Sequence, residues 1–256
     1  MTVLQVAAAQ LSSGPDPIAN LATATDAVQQ AASEGAELVV LPEATSACFG
    51  TDLRSVAEPL DGPFAAGLRK VAADLGVVVV AGLFEPSGDG RVHNTLLVTG
   101  PGVETSYRKI HLYDAFGSRE SDTVAPGNEL VTFGWRDVTI GLATCYDLRF
   151  ADQFTALGRL GAELIAVPAS WGAGPGKEEQ WDLLTRARAA DAQAWLLACD
   201  QAYVPPVGTD PLGIGRSSVT TPLGQTSARL DAAAGTLHAT IDTAVVAPIR
   251  ARVPIL

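Results

Sequence analysis

The chain has 256 residues, 47% hydrophobic and 18% charged, which is the composition of a globular protein with a sizeable core and excludes a disordered polyelectrolyte. Acids outnumber bases 28 to 17, a formal net charge of −11 that argues against nucleic-acid or anionic-membrane partners, since both need clustered Lys and Arg. Three scattered cysteines exclude a disulfide framework, and no apolar run reaches the ~18 residues of a membrane helix.

The chain starts MTVLQVAAAQ, with no basic segment before its apolar stretch, so no signal peptide and a cytoplasmic location are expected. In chain order, Val3–Ala9 reads as a strand, Ile18–Ser33 as a helix and Glu37–Leu41 as a strand. Pro63–Leu75 reads as a helix, followed by strands at Val77–Leu83 and Val92–Thr99 and a shorter strand-like segment at Val103–Tyr107. The second half gives a strand at Val138–Thr144, a helix at Phe150–Leu160 and a strand at Glu163–Val167. A helix at Glu178–Ala192 and strands at Trp195–Cys199 and Ser217–Thr221 complete the series. Consecutive apolar positions suit strands covered on both faces. Pro63 suits a first helical turn, and Gly35, Gly76 and Gly161 stand where a left-handed cap is often required.

One internal echo organises these elements. Gly35–Ala44 reads GAELVVLPEA and Gly161–Ser170 reads GAELIAVPAS, and the flanking elements match in order. The expected fold is α/β, a four-layer α-β-β-α sandwich of two βαβαββ halves related by a pseudo-twofold axis. No low-complexity linker separates the halves, so residues 1–256 read as a single domain.

Ligands in α/β sheets gather beyond the carboxyl ends of strands, and three residues of chemical interest lie near such ends. Glu43 follows LVVLP, Cys145 ends VTIGLAT, and Lys109 follows the Val103–Tyr107 segment. Taken singly, each has a plain structural reading: a loop acid, a packed thiol, a solvated cation. A cysteine at a strand-to-helix turn, however, lies near helix N–H groups that lower its pKa and can bind an oxyanion. A carboxylate in apolar surroundings can act as a base near neutrality. Together, a thiol, a carboxylate and an ammonium group are what covalent amide hydrolysis requires.

The motifs LPEA around Glu43, YRKIHLYD around Lys109 and CYDLRF around Cys145 resemble, in order and spacing, those of the nitrilase, or carbon–nitrogen hydrolase, superfamily. The resemblance spans nearly the whole chain, including Arg186–Arg188 and the late segment GRSSVTTPLGQ. Its nearest branch is the omega-amidase and deaminated-glutathione-amidase group, matched also by Glu120–Ser121 and Pro126–Gly127. The resemblance implies the same four-layer fold, a homodimer, no cofactor, and small-molecule amide substrates that carry a carboxylate and release ammonia. It implies Cys145 as nucleophile, Glu43 as general base, Lys109 as the cation at the tetrahedral intermediate, and Glu120 as a second glutamate positioning Lys109 or substrate. The Tyr146 N–H would complete an oxyanion hole. The nucleophile motif here is Cys145–Tyr146–Asp147, the amidase form, so amides are favoured over nitriles. An N-carbamoyl amide hydrolase, a nitrilase using the same three residues, and a non-catalytic binding relative are the rival readings.

Trp171 stands where the family carries an aromatic pocket wall, against an equal expectation of core packing. Arg149, Arg119 and Arg216 are candidates to meet a substrate carboxylate, and the sequence gives no basis for choosing. Asp147 and Arg149 are expected to form an ion pair that holds the nucleophile turn. Glu178 and Glu179 suit a helix N-terminus, and Cys48 and Cys199 suit packing. His93, His111 and His238 show no metal-ligand spacing, so no metal is expected. Gly172–Gly176 lacks a phosphate-loop pattern.

Overall fold

Strand β1 (Val3–Gln10) shows how the layers arise. Leu4, Val6 and Ala8 enter one core while Ala7 and Ala9 enter another, because successive side chains leave a strand on opposite faces. The structure, a computed structural model, describes residues 3–205 and 213–256. The first sheet runs, in spatial order, β12 (Gly235–Asp242), β1, β2 (Leu38–Val40), β3 (Val78–Pro86), β4 (Val92–Gly100) and β5 (Val103–Arg108). The second runs β11 (Thr226–Arg229), β10 (Ser218–Thr220), β9 (Trp195–Asp200), β8 (Leu164–Ala169), β7 (Val138–Leu142) and β6 (Thr132–Trp135). The three inner strands β1-β2-β3 pair in parallel, as do β7-β8-β9, and the remaining pairs are antiparallel.

The sheets pack face to face through Leu4, Val6, Leu38, Val40, Val78 and Leu96 on one side and Ile140, Leu142, Leu164, Leu197 and Val219 on the other. Helices α1 (Pro17–Ser33) and α3 (Pro63–Leu75) cover the first sheet with Val28, Phe64 and Leu68. Helices α4 (Ala151–Arg159) and α5 (Lys177–Ala192) cover the second with Phe154, Leu157 and Trp181. A short helix α2 (Leu53–Val56) lies in the connection after β2. The four layers and the two matching halves expected from the repeat are both present.

The halves correspond more fully than the sequence suggested. Each has a fifth strand, β5 or β11, and an added antiparallel partner on its first strand, β12 on β1 and β6 on β7. These three strands, β6, β11 and β12, carry few apolar residues in a row. Of these strands, Leu237 and Ile241 of β12 and Phe133 of β6 are buried in the inter-sheet core, and β11 is largely exposed. The β6–β7 hairpin turns through Arg136 and Asp137, both at positive φ (47° and 63°), without the Asn-Gly pair that usually marks such a turn. After β12 the final helix α6 (Val246–Arg252) crosses to the other half, where Arg250 Nη2 donates to Ala162 O at 2.6 Å.

Candidate active site

The strand ends bring the two halves together at one point. The repeat aligns Ala44 with Ser170, and across the pseudo-twofold axis the Ser170 N–H donates to Glu43 Oε2 at 2.8 Å. Glu43 is fully buried, just past β2, where Gln201 Nε2 holds its carbonyl at 2.9 Å. Strand β3 runs so close that a Cβ on Gly82 would lie 2.5 Å from Ala44 N and 2.7 Å from Glu43 Cα. Glycine is therefore required there by contact rather than by turn geometry.

Lys109 follows β5 and is 2% exposed. Its Nζ donates to Glu43 Oε1 at 2.9 Å and to Glu120 Oε2 at 2.9 Å. Burial disfavours its charge, yet Glu120 and Glu43 together hold the ammonium well above the ordinary lysine range. Asn94 on β4 spans the same two carboxylates, donating from Nδ2 to Glu43 Oε1 at 2.7 Å and to Glu120 Oε1 at 3.1 Å. The Tyr113 N–H donates to Glu120 Oε2 at 2.6 Å. The Gly127 N–H donates to Lys109 O at 2.8 Å, and a Cβ on Gly127 would lie 2.2 Å from Arg108 O, which gives the Pro126–Gly127 pair its physical reason.

Cys145 opens a 3-10 turn (Cys145–Arg149) directly after β7 and holds a φ of 45°, a left-handed conformation that strains a residue bearing a Cβ. The turn is fixed from below. Asp147 Oδ2 accepts the Thr144 N–H at 2.8 Å and the Tyr107 hydroxyl at 2.6 Å, and Oδ1 accepts the His111 N–H at 3.1 Å. Burial pushes the Cys145 thiol well above the usual range, and the Glu43 charge pushes the same way. Lys109 and the Ser170 N–H oppose them. The lowering expected from the N–H groups of the turn is outweighed by this burial.

Glu43, Lys109, Glu120, Cys145, Tyr146, Arg149 and Trp171 all line one cavity of about 680 Å³. Trp171 is both pocket wall and core: it is 4% exposed and packs on Trp181. The expected Asp147–Arg149 ion pair is absent. Asp147 is occupied as above, and Arg149 turns the other way, donating to Gln180 Oε1 at 2.6 Å under the rings of Trp171, Tyr146 and Phe116. Arg216 lies outside the cavity, paired with Asp182 and Glu178. Arg119 lines the cavity rim and pairs with Asp122 at 3.4 Å. Glu178 sits in the first turn of α5, as expected, and also meets Arg216 at 3.2 Å. Cys199 packs fully buried between the sheets, whereas Cys48 is half-buried with its Sγ 3.5 Å from Thr51 Oγ1.

Three residues of the site escaped the sequence reading. Asn94 was visible only as an amide inside the apolar run VHNTLLV. Lys177 lines the cavity from the first turn of α5, its Nζ 3.1 Å from the Tyr113 hydroxyl. Asp200, at the end of β9, accepts the Trp171 N–H at 2.7 Å and the Ile214 N–H at 2.9 Å, tying two loops behind the pocket. Burial pushes its carboxyl upward against those N–H groups.

Comparison with known proteins fits this geometry. The carbon–nitrogen hydrolase family matches residues 5–251. A hydrolase of Mycobacterium tuberculosis (strain ATCC 25618 / H37Rv) is 48% identical over 264 residues, covering 99% of this chain and 94% of that protein. The omega-amidase NIT2 of Danio rerio is 30% identical over 263 residues, covering 100% and 94%. The crystal structure of Saccharomyces cerevisiae Nit3, described as a member of branch 10 of the nitrilase superfamily, superposes with a TM-score of 0.87 at 27% identity, covering 99% of this chain and 95% of that one.

Proposed function

The chain belongs to the carbon–nitrogen hydrolase family, and on that premise we propose that it hydrolyses small carboxylate-bearing amides through a thioester on Cys145, in the manner of an omega-amidase or a deaminated-glutathione amidase. The observation that carries this reading is Lys109 held between Glu43 and Glu120 on the wall of the cavity that Cys145 also lines. The buried thiol lies above the usual range and needs a base at the moment of attack. Glu43 takes the sulfur proton as sulfur bonds to the amide carbon. The Lys109 ammonium and the Tyr146 N–H stabilise the oxyanion. Glu43 then returns the proton to nitrogen, the carbon–nitrogen bond breaks and ammonia leaves. In the second half, Glu43 takes a proton from water, which attacks the thioester; the acid departs and the proton returns to Cys145. Glu120 acts as a positioning residue for Lys109 and keeps it charged throughout. Net, amide and water give acid and ammonia.

We carry the homodimer and the cytoplasmic location as parts of the same proposal. Ammonia release from 2-oxoglutaramate, deaminated glutathione, aliphatic amides, a nitrile and an N-carbamoyl amino acid tests the reading, with Cys145→Ala alongside. Activity on one of the first two that vanishes in the variant supports it. Carbon dioxide appearing with ammonia from the carbamoyl compound would make the protein a carbamoyl amide hydrolase instead. Silence from folded wild-type protein on every compound would favour a non-catalytic relative.

A further inference from the structure

Asn94 is buried in β4 and touches all three members of the charged cluster. Its carbonyl accepts the Lys109 N–H at 2.8 Å. Its side-chain Nδ2 donates to Glu43 Oε1 at 2.7 Å and to Glu120 Oε1 at 3.1 Å. Nδ2 carries two hydrogens, one for each carboxylate, whereas Oδ1 is buried and meets no donor among the described residues. The amide is thus kept for its hydrogens, even though its acceptor is left unpaired.

The donors divide unevenly over the four carboxylate oxygens. Glu43 Oε1 takes Lys109 Nζ and Asn94 Nδ2, Glu120 Oε1 takes the same two, and Glu120 Oε2 takes Lys109 Nζ and the Tyr113 N–H. Glu43 Oε2 takes one donor among the described residues, the Ser170 N–H at 2.8 Å. A carboxylate oxygen has two lone-pair sites, so Oε2 keeps one open while the other three oxygens are filled. The Ser170 N–H also faces the Cys145 sulfur, which puts the open site of Glu43 on the cysteine side.

We propose that Asn94 is a positioning residue that confines proton exchange to Oε2 of Glu43: by filling Oε1 together with Lys109, it fixes which oxygen takes the proton from Cys145 and later from water. The inference rests on the amidase reading above and deepens it. The charged and titratable groups that face Glu43 are Lys109, Glu120, Cys145 and, from the end of β9, Asp200. Lys109 is the one cation among them and is shared with Glu120, so Asn94 supplies a neutral donor that adds no charge to balance. A leucine at 94 keeps the bulk and removes both hydrogens. An aspartate keeps the shape and adds a third acid.

Alkylation of Cys145 by iodoacetamide, followed by peptide mass, reports proton removal from the sulfur without any turnover. Its rate is measured against pH in the wild type, Asn94→Leu and Asn94→Asp, with folding checked by circular dichroism. The kcat and KM for ammonia release are measured beside it. Hydrogen bonds to a carboxylate favour its charged form, and a neighbouring acid disfavours it. The acid limb of alkylation is expected to move up by about one pH unit in Asn94→Leu and further in Asn94→Asp. At neutral pH kcat is expected to fall about tenfold in both, with KM held within about threefold. Limbs that coincide in all three proteins overturn the inference. A shifted limb in Asn94→Leu beside a wild-type-like one in Asn94→Asp, the mark of a role in shape alone, also overturns it. So does a wild-type rate with no acid limb. Where the leucine variant does not fold, the isosteric aspartate decides alone. Ammonia release by the wild type with coincident limbs defeats the Asn94 role and spares the amidase reading, whereas ordered limbs in a wild type that turns over no amide do the reverse.

Discussion

Lys109 stands between two carboxylates that would otherwise face each other inside the protein. Its charge is thus structural and, on the proposed mechanism, chemical. Lys109→Met strips the cation and leaves two buried acids sharing only Asn94. The expected cost is about 3–5 kcal/mol of stability in urea unfolding, with ammonia release falling below detection. Loss of activity with unchanged stability would mean that the acids are not coupled through Lys109. Glu43, Lys109 and Cys145, which the structure brings to one cavity, could be singled out in the sequence because each sits in a motif at a strand end. Asn94 and Lys177 could not, because a lone amide in a strand and a lone lysine at a helix start carry no local pattern. Their roles exist only once β4 and α5 are brought to the same cavity. The direction of Arg149 was equally hidden, since Asp147 had three closer partners on Tyr107, His111 and Thr144.

At the scale of elements, the strand β3 fixes Glu43 by contact. Gly82→Ala forces its new methyl against Ala44 N and Glu43 Cα, backbone atoms that cannot swing aside as a side chain could. The expected stability loss is about 1–3 kcal/mol, with the protein still folded. A displacement of Glu43 by even ~1 Å lowers kcat by up to about 10²-fold. Normal kcat in a folded Gly82→Ala protein would show that Glu43 tolerates displacement. The inner strands and the four large helices were readable because burial on both faces leaves unbroken apolar runs such as LVVL, VVVV and LIAV. The outer strands β6, β11 and β12 were not. Half of each such strand meets water, and pairing, rather than composition, makes it a strand.

Across the whole molecule, burial of weak acids predicts a one-sided pH response. Burial holds Tyr107, Cys145 and Cys199 well above their ordinary ranges in the folded state. Below the unfolded values both states keep these protons, and stability does not depend on them. Above about pH 8.5 for the thiols and about pH 10 for the phenol, the unfolded chain releases protons that the folded one retains. Stability then falls by up to ~1.4 kcal/mol per pH unit for each group. Lys109 adds to the same trend, because its stabilisation is present below the ordinary lysine value and fades as pH rises through its raised one. The melting temperature should therefore drop on the alkaline side, and Tyr107→Phe should flatten the part above pH 10 while lowering stability near neutrality. An alkaline limb identical in Tyr107→Phe would remove that group from the account.

The central claim is that Cys145, deprotonated by Glu43, carries the acyl group. Acid-quenched wild-type protein taken during turnover of a carboxylate-bearing amide, digested and weighed by mass spectrometry, tests it directly. The account predicts an acyl adduct on the Cys145 peptide that disappears on alkaline hydroxylamine treatment, and no adduct in Cys145→Ala. Steady ammonia release with no acylated Cys145, or undiminished release from Cys145→Ala, would contradict it.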